Sequence, residues 1–556
     1  MTQLNAKYWE APSSNQADFP ENSDPELAYQ PIQNRPNCGI AFSGGGTVSA
    51  ALAPGFIKAL EDLDLMKNVK YISGVSGGTW GTSAYCFALD SDRRTKYFGT
   101  KINPDLSQLN VTDIKKADEK GSMLEAVTDA KIVRLTIENA FLFLLGHESF
   151  TRAVGQIFLK PFGLNNKTGY FSCDDNSIQN IKSRNSGLKD STFLKLYSNP
   201  DNPNEDSPYY IMNTTMLTPP QAKTYNKHPF EFTPLYCGMI GNQGKDTTGE
   251  TIGGYFVEPF AFNTSNPTVN TTEKTITVEE AKKTLILSSP VGTSGSAVEQ
   301  YIAELRSIFK HLTKFFPAFD YWNPADKDQG NPLKTQQYLF GDGGITEDTG
   351  IASLLARKVE NIVLFITEPF DTKPISTKKC EKTQRTFGYN QIAQLFGVQK
   401  VKESEPKPYT FGLSVAQNLP GQFFKTEDFT GLQQALTTAK DNKEAIVVTQ
   451  AYEVLENDGF GVEGNWNVNV TWVIVDTCPE FNQGLVPGGI YDSETGKFTI
   501  DGLENFPAIC TFEQNKGYVI QLTPAQANLL GNQAYWMVAT NQKGKAAITK
   551  ALSPST

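Results

Sequence analysis

The sequence predicts an α/β fold, with a central, mostly parallel sheet that is flanked by helices and interrupted by a large inserted cap region. Two short apolar runs, residues 38–42 and 69–73, each lead through a glycine-rich turn into a segment with apolar residues at helical spacing. A third run, 337–340, also ends in glycines and is followed by a helical segment and the apolar run 361–366. Alternating strands and helices are typical of parallel sheets with right-handed crossovers.

The remaining elements follow from periodicity along the chain. Helices are predicted over 50–65, 79–89, within 111–163, and over 297–316, 347–358 and 524–531, because apolar residues recur there at helical spacing. A further strand is predicted over 468–476. The stretch 165–285 is rich in Gly, Pro, Asn and Thr, which indicates loops and strands.

The 556 residues exceed one average domain, and length alone suggests three or four. We nevertheless predict one catalytic α/β domain over 38–556, because large α/β enzymes often insert elements into a single sheet. The insertion, residues 110–330, is predicted to form a cap. Residues 1–37 are polar, contain prolines and lack periodicity, and are predicted to form an extended arm.

Composition narrows the function classes. A formal net charge of −10 argues against a general nucleic-acid binder, which needs a basic surface. The N-terminus lacks the basic start and apolar run of a signal peptide, and no stretch reaches the roughly 18 to 20 apolar residues that span a bilayer. Seven scattered cysteines do not form a disulfide pattern. These features predict a cytoplasmic protein that contacts membranes at most peripherally.

Ser76 lies in the turn Gly74-Val75-Ser76-Gly77-Gly78, between a predicted strand and a predicted helix. This Gly-x-Ser-x-Gly pattern is that of a nucleophile elbow, a strained turn that exposes a serine at the start of a helix. The helix start stabilises negative charge that develops beside the serine. An ordinary glycine-rich turn is the alternative, but the flanking strand and helix favour a nucleophile.

The run Gly44-Gly45-Gly46 precedes another predicted helix. Successive glycine amides at a helix start can point at one oxygen, as an oxyanion hole requires. A phosphate-binding loop is the alternative, but it needs Gly-Lys-Ser/Thr, and here Thr-Val-Ser follows without lysine. The further glycine of a dinucleotide-binding fingerprint is also missing.

A serine nucleophile needs a base, and the chain has only three histidines, His147, His228 and His311. The order Ser, Asp, His of α/β-hydrolases cannot be built with Asp342, because every histidine precedes it. A partly desolvated aspartate can itself act as base, and Asp342, between glycines at a strand end, is the best candidate. The alternative interpretation is that Asp342 is an ordinary turn aspartate without a catalytic role. No motif for a metal site stands out, so a metal-free and cofactor-free mechanism is predicted.

The chain resembles the patatin-like and cytosolic phospholipase A2 acyl hydrolases, and also lysophospholipases of the phospholipase B type. The likeness begins with CGIAFSGGGTVSAALAPGFIKALEDLDL and YISGVSGGTWGTSAY, the start of the catalytic domain in that family. It continues through PFEFTPLYCGMIG, GGYFVEPFAF and GTSGSA. It reaches about residue 370 with FGDGGITEDTGIASLLARKVENIVLFI, which resembles the segment of the catalytic aspartate.

The resemblance implies a lipid acyl hydrolase with a Ser-Asp dyad, here Ser76 and Asp342, and an acyl-enzyme intermediate. It implies that amides of Gly44, Gly45 and Gly46 form the oxyanion hole and that no histidine is catalytic. It also implies a lipid acyl-ester substrate met at a membrane or micelle surface. The oligomeric state is left open.

One position departs from the family. The cytosolic phospholipases have an arginine, thought to meet the substrate phosphate, where this chain has Val48. Phospholipids, lysophospholipids, galactolipids and neutral esters therefore all stay open as substrates. An acyltransferase with the same dyad and a non-catalytic lipid-binding or storage protein are the alternative functions.

Two segments are candidates for lipid contact. The apolar stretch 141–145, within the predicted helical region near 123–160, would serve as a lid or be buried in the cap. A local basic cluster would meet an anionic membrane or be a solvated loop; it consists of Lys373, Lys378, Lys379, Lys382 and Arg385.

Overall fold

The structure is a computed structural model. It describes residues 3–12, 18–129, 149–166, 169–218, 226–245, 249, 251–280, 284–296, 317–325, 333, 335–367, 369–370, 385–398, 421–509, 512–513, 517–518 and 521–554.

Fourteen strands of the described residues form one large sheet. In chain order they are β1 (Gln3–Glu10), β2 (Cys38–Phe42), β3 (Tyr71–Val75), β4 (Tyr209–Thr218), β5 (Asn226–Phe232), β6 (Cys237–Met239), β7 (Tyr255–Val257), β8 (Ser265–Asn270), β9 (Thr275–Glu279), β10 (Ala318–Tyr321), β11 (Gln336–Asp342), β12 (Asn361–Ile366), β13 (Ile446–Val454) and β14 (Trp466–Ile474). Neighbours across the sheet follow the order β8-β9-β1-β7-β6-β5-β4-β3-β2-β12-β14-β13, and β11 pairs with both β4 and β10.

The described α-helices surround this sheet. In chain order they are α1 (Pro20–Ser23), α2 (Gly46–Asp62), α3 (Gly77–Cys86), α4 (Ser91–Phe98), α5 (Val111–Ile114), α6 (Met123–Thr128), α7 (Ser149–Val154), α8 (Asp175–Arg184), α9 (Ser288–Ser294), α10 (Ile351–Ala356), α11 (Arg385–Leu395), α12 (Asp428–Asp441), α13 (Pro479–Gly484), α14 (Pro524–Tyr535) and α15 (Gln542–Leu552).

The predicted helices 50–65, 79–89 and 524–531 are confirmed as α2, α3 and α14, with shifted ends. The helix predicted over 347–358 is the shorter α10. Within 111–163 the described residues form the separate helices α5, α6 and α7 rather than one long helix. The helix predicted over 297–316 lies outside the described residues.

The predicted fold class is confirmed, with parallel order confined to the centre of the sheet. Strands β4, β3, β2, β12 and β14 pair in parallel, and the strands on both sides of them pair antiparallel. Connection length explains the difference. The 17-residue helix α2 joins β2 to β3 and permits a crossover, whereas the short turn between β8 and β9 permits only a hairpin.

The central strands are buried between helices. Every residue of β2 and β3 is buried, as expected for parallel strands covered on both faces. Helix α2 packs with α3 and α14, α10 contacts β3 and β12, and α15 contacts β12, β13 and β14. Both glycine-rich turns therefore begin at the ends of buried strands that are covered by helices.

Strand β4 aligns two other strands end to end. Its first half, Tyr209–Asn213, lies parallel to β3, and along the same edge its second half, Thr214–Leu217, lies antiparallel to β11. Strands β3 and β11 consequently run toward each other. Ser76, the residue after β3, and Asp342, the last residue of β11, therefore lie close together beside Asn213 and Thr214 of β4.

The predicted arm and cap both contain strands of the main sheet. Residues 3–10 of the predicted arm form β1, which pairs with β9 and β7. The predicted cap region contributes β4 through β10 to the sheet, so it is not a separate layer throughout. The division of the chain into an arm, a catalytic domain and a cap stays a prediction.

A buried charge network ties the N-terminal segment to the sheet. Arg357, fully buried after α10, binds Glu21 at 2.7 Å and Glu231 on β5 at 2.8 Å, and also contacts the Tyr236 hydroxyl. Its guanidinium lies 4.1 Å from the centre of the Phe19 ring. Burial raises the pKa of Glu21 despite the attraction of Arg357.

Replacing Arg357 with methionine is expected to lower the free energy of unfolding by about 3 to 5 kcal/mol, because two buried carboxylates lose their counter-charge. Urea unfolding at neutral pH measures the loss. Lys358→Met is the matched control, since its 2.7 Å ion pair with Glu463 is largely exposed and contributes about 1 kcal/mol at most. Equal losses in the two variants would contradict this account.

Candidate active site

Ser76 occupies the turn between β3 and α3. Its backbone has φ 51° and ψ −122°, a conformation that non-glycine residues rarely adopt. A side chain on the next residue, Gly77, would lie 1.9 Å from the Gly46 carbonyl oxygen, and one on Gly78 would lie 2.3 Å from that of Phe42. The glycines of the motif thus allow the turn to pack against the end of β2 and the start of α2.

The Ser76 hydroxyl donates a hydrogen bond to Asp342, with 2.9 Å between Oγ and Oδ2. The other carboxylate oxygen, Oδ1, accepts the Gly344 backbone N–H at 2.9 Å. The two residues meet because β3 and β11 end head to head along β4. Both side chains are buried, Ser76 being 8% and Asp342 6% exposed.

Burial changes the acidity of Asp342. Removal from water raises the pKa of its carboxyl group to about 7, although the hydrogen bonds from Gly344 and Ser76 lower it. Such a carboxylate is partly ionised near neutral pH and is a stronger base than an exposed aspartate. It can therefore accept a proton from the serine hydroxyl to which it is bonded.

The glycine run is used differently from the prediction at one position. The Gly44 N–H donates to the Asp348 carbonyl oxygen at 2.9 Å, so this amide is already engaged. The amides of Gly45 and Gly46, at the start of α2, have no acceptor among the described residues. Of the three predicted oxyanion donors, Gly45 and Gly46 remain candidates, and Gly44 instead anchors the loop.

Two helix starts converge beside Ser76. Helix α2 begins at Gly46 and α3 at Gly77, and these two glycines are in backbone contact. The first amides of a helix lack intrahelical acceptors and carry the positive end of its dipole. Because these two helix starts lie next to each other and next to Ser76, the site favours a negative oxygen beside the serine.

Several supporting residues were not identified from the sequence. Asn213 Nδ2 donates to Ser73 Oγ and to the Gly74 carbonyl, both at 2.9 Å, and so holds the end of β3. The Asp348 carboxylate is buried and accepts from Gln391 Nε2. Asp348 lies six residues after Asp342 in the segment that resembles the family, and this position is the signal that could have identified it.

One of the three histidines considered as a possible base lies within the described residues. His228 is buried on β5, with its Nε2 2.8 Å from Thr218 Oγ1, and it has no hydrogen bond to Ser76 or Asp342 among those described. His147 and His311 lie outside the described residues. Val48, where the family has arginine, is buried within α2.

The two candidate lipid-contact segments fall outside the side chains that the structure describes. Residues 141–145 and the lysines at 373–382 lie outside the described residues, and only the backbone is described for Arg385. Across the described parts of the chain, the helices are too short or too polar to cross a membrane. In those same parts, His, Cys, Asp and Glu side chains do not gather into a group that could hold a metal ion.

Comparison with known proteins agrees with the resemblance read from the sequence. Residues 40–275 match the patatin-like phospholipase family model, a range that includes Ser76 but ends before Asp342. Over 49 residues the chain is 43% identical to the protein of Saccharomyces cerevisiae (strain ATCC 204508 / S288c) named "Putative meiotic phospholipase SPO1". That alignment covers 9% of this chain and 8% of the yeast protein.

Two solved structures match this chain at low identity. Human GIVD cytosolic phospholipase A2 is 12% identical with a TM-score of 0.48, covering 93% of this chain and 63% of that one. The same enzyme in complex with methyl γ-linolenyl fluorophosphonate is 12% identical with a TM-score of 0.38, covering 93% and 59%. The chain thus spans less than two thirds of either of these proteins' chains.

Proposed function

We propose that this chain is a lipid acyl hydrolase of the phospholipase A2 or lysophospholipase type, with Ser76 and Asp342 as a catalytic dyad. The observation that carries the proposal is the 2.9 Å hydrogen bond from the Ser76 hydroxyl to the buried Asp342 carboxylate. The match of residues 40–275 to the patatin-like phospholipase model supports the substrate class. An elbow conformation at Ser76 supports its role as the nucleophile.

In the acylation step, Asp342 accepts the Ser76 proton while Oγ attacks the carbonyl carbon of the ester. The carbonyl oxygen becomes an oxyanion, which the amides of Gly45, Gly46 and Gly77 would stabilise. Collapse of this intermediate breaks the ester bond, and the leaving alcohol takes the proton from Asp342. Each donor of this kind contributes roughly 2.7 to 4 kcal/mol to transition-state stabilisation.

In the deacylation step, water attacks the acyl-enzyme and Asp342 accepts a proton from it. The second oxyanion collapses, Ser76 Oγ leaves and is reprotonated by Asp342, and the fatty acid is released. The dyad thus returns to its starting state without a histidine. An alcohol in place of water would give transacylation, the runner-up activity.

Headgroup recognition should differ from that of the cytosolic phospholipases. Val48 is buried in α2 and carries no charge, so it offers no partner for a substrate phosphate. We therefore expect the acyl ester and its chain, rather than a charged headgroup at this position, to determine binding.

A fluorophosphonate probe tests the nucleophile directly. We expect stoichiometric labelling of the wild-type protein, with peptide mapping by mass spectrometry placing the adduct on Ser76. An unlabelled portion of the same preparation should release fatty acid from diacylphosphatidylcholine vesicles, lysophosphatidylcholine micelles or diacylglycerol dispersions, measured separately. An added acceptor alcohol separates hydrolysis from acyl transfer.

Two results would contradict the proposal. A folded protein that stays unlabelled and releases no fatty acid from any of the three lipids would favour a binding or storage role. Labelling at another serine would remove Ser76 from the reaction.

A further inference from the structure

Ser294 closes helix α9 directly behind the nucleophile elbow and is completely buried. Its hydroxyl oxygen lies 3.0 Å from the Ser76 backbone nitrogen, 2.7 Å from the Asn213 carbonyl oxygen and 2.8 Å from Thr79 Oγ1. Residues from three distant parts of the chain therefore meet at one oxygen atom.

The direction of each hydrogen bond follows from chemistry. The Asn213 carbonyl can only accept, so the single Ser294 proton is donated to it. The two lone pairs of Ser294 Oγ then accept the Ser76 N–H and the Thr79 hydroxyl proton. The hydroxyl has no remaining capacity, so its orientation is fixed.

These bonds join both halves of the proposed dyad. Ser76 and Thr79 belong to the elbow and to α3. Asn213 is the last β4 residue that pairs with β3, and the next residue of β4 pairs with β11. A shift of Ser294 would move the nucleophile relative to the strand junction that places Asp342. The bond also engages the Ser76 amide, so that amide cannot serve an oxyanion.

We infer that Ser294 is a positioning residue for the nucleophile, an inference that rests on the proposed function. It holds the strained Ser76 backbone so that Oγ stays on Asp342. It leaves oxyanion stabilisation to the amides of Gly45, Gly46 and Gly77. Ser294 touches neither substrate nor reacting atoms and acts through Ser76.

Ser294→Ala tests the inference. We expect kcat to fall by roughly 10-fold to 100-fold with KM nearly unchanged, because a misplaced nucleophile slows chemistry rather than binding. The second-order rate of fluorophosphonate labelling should fall by a similar factor. The pH at which the rate is half-maximal should move upward, because a displaced Ser76 hydroxyl no longer lowers the pKa of Asp342.

Ser296→Ala is the matched control. Ser296 is equally buried two residues along the chain, and its described hydrogen bond is to the Thr293 carbonyl at 3.0 Å. This variant should keep kcat and the labelling rate of the wild type. Thr79→Val is a second test that preserves volume and removes one of the three bonds. It should lower kcat several-fold even if Ser294→Ala does not fold.

The outcomes are distinguishable. Wild-type kcat in both Ser294→Ala and Thr79→Val would overturn the inference while leaving the dyad intact. Equal losses in Ser294→Ala and Ser296→Ala would overturn it as well, because they would indicate general loss of packing. A wild-type protein that is not labelled at Ser76 would overturn the proposed function, and the inference with it.

Discussion

Replacing Asp342 with asparagine is expected to lower kcat by roughly 10³-fold to 10⁴-fold. This loss corresponds to the upper part of the range that a positioned general base usually contributes. The amide cannot accept the serine proton, although its shape and burial are nearly unchanged. Fatty-acid release from vesicles measures the loss. In the wild type, kcat/KM should fall tenfold per pH unit below about 7, because Asp342 must be ionised to act.

The same substitution should stabilise the protein at alkaline pH. Burial raises the pKa of Asp342 from 3.8 to about 7, so the folded state holds its proton more tightly than the unfolded state. Wild-type stability therefore declines as pH rises through this interval, by about 4 kcal/mol at most. Asp342→Asn lacks this cost, so its melting temperature should exceed the wild-type value at pH 8 and approach it near pH 4.

Glu347→Gln is the control for this prediction. Glu347 is also buried, with its pKa raised by burial, but its carboxylate accepts the Thr349 and Ala352 amides and does not contact Ser76. It should keep most of the activity. A folded Asp342→Asn protein with more than a tenth of wild-type kcat would exclude Asp342 as the base.

Local sequence patterns were enough to identify the elements of the site. Strands β2, β3 and β12 are short apolar runs, and the glycines around Ser76 mark a turn that packs against neighbouring backbone. Each of these signals is contained in a few consecutive residues, so it can be recognised without information about distant parts of the chain. The same holds for α2 and α3, whose apolar residues recur at helical spacing.

The junction between Ser76 and Asp342 could not be predicted this way. It depends on the register of β4, which pairs Asn213 with Val75 and Thr214 with Asp342. Strand register is set by tertiary packing. The residue patterns and the resemblance to known hydrolases both named Ser76 and Asp342, but their contact needed the structure.

The prediction for Gly44 shows a second limit. A run of glycines indicates several free amides, yet the Gly44 amide is bonded to the Asp348 carbonyl from a segment 304 residues away. The partner of a backbone amide in a loop is a tertiary property. Strand β1 was missed although its buried residues Leu4, Ala6 and Tyr8 alternate with more exposed ones, a strand pattern that is visible in the sequence.

Ser76→Ala should remove all fluorophosphonate labelling and reduce fatty-acid release by at least roughly 10³-fold, since no nucleophile remains to form the acyl-enzyme. The backbone should persist, because Ser294 still binds the residue 76 amide and the glycines still allow the turn. Ser83→Ala, on the same helix and bonded to the Thr79 carbonyl, is the control and should label normally.

The Ser76→Ala substitution should also change the pKa of Asp342. The Ser76 hydroxyl bond is one of two contacts that lower the pKa of Asp342, so its loss should move that pKa further above 7. A carboxyl-carbon NMR titration of ¹³C-labelled aspartate can follow the change. A pKa that stays in place would mean that the two side chains are not bonded in solution. Because the hydroxyl stabilises the ionised Asp342 carboxylate before any substrate binds, this titration tests the proposed dyad independently of turnover.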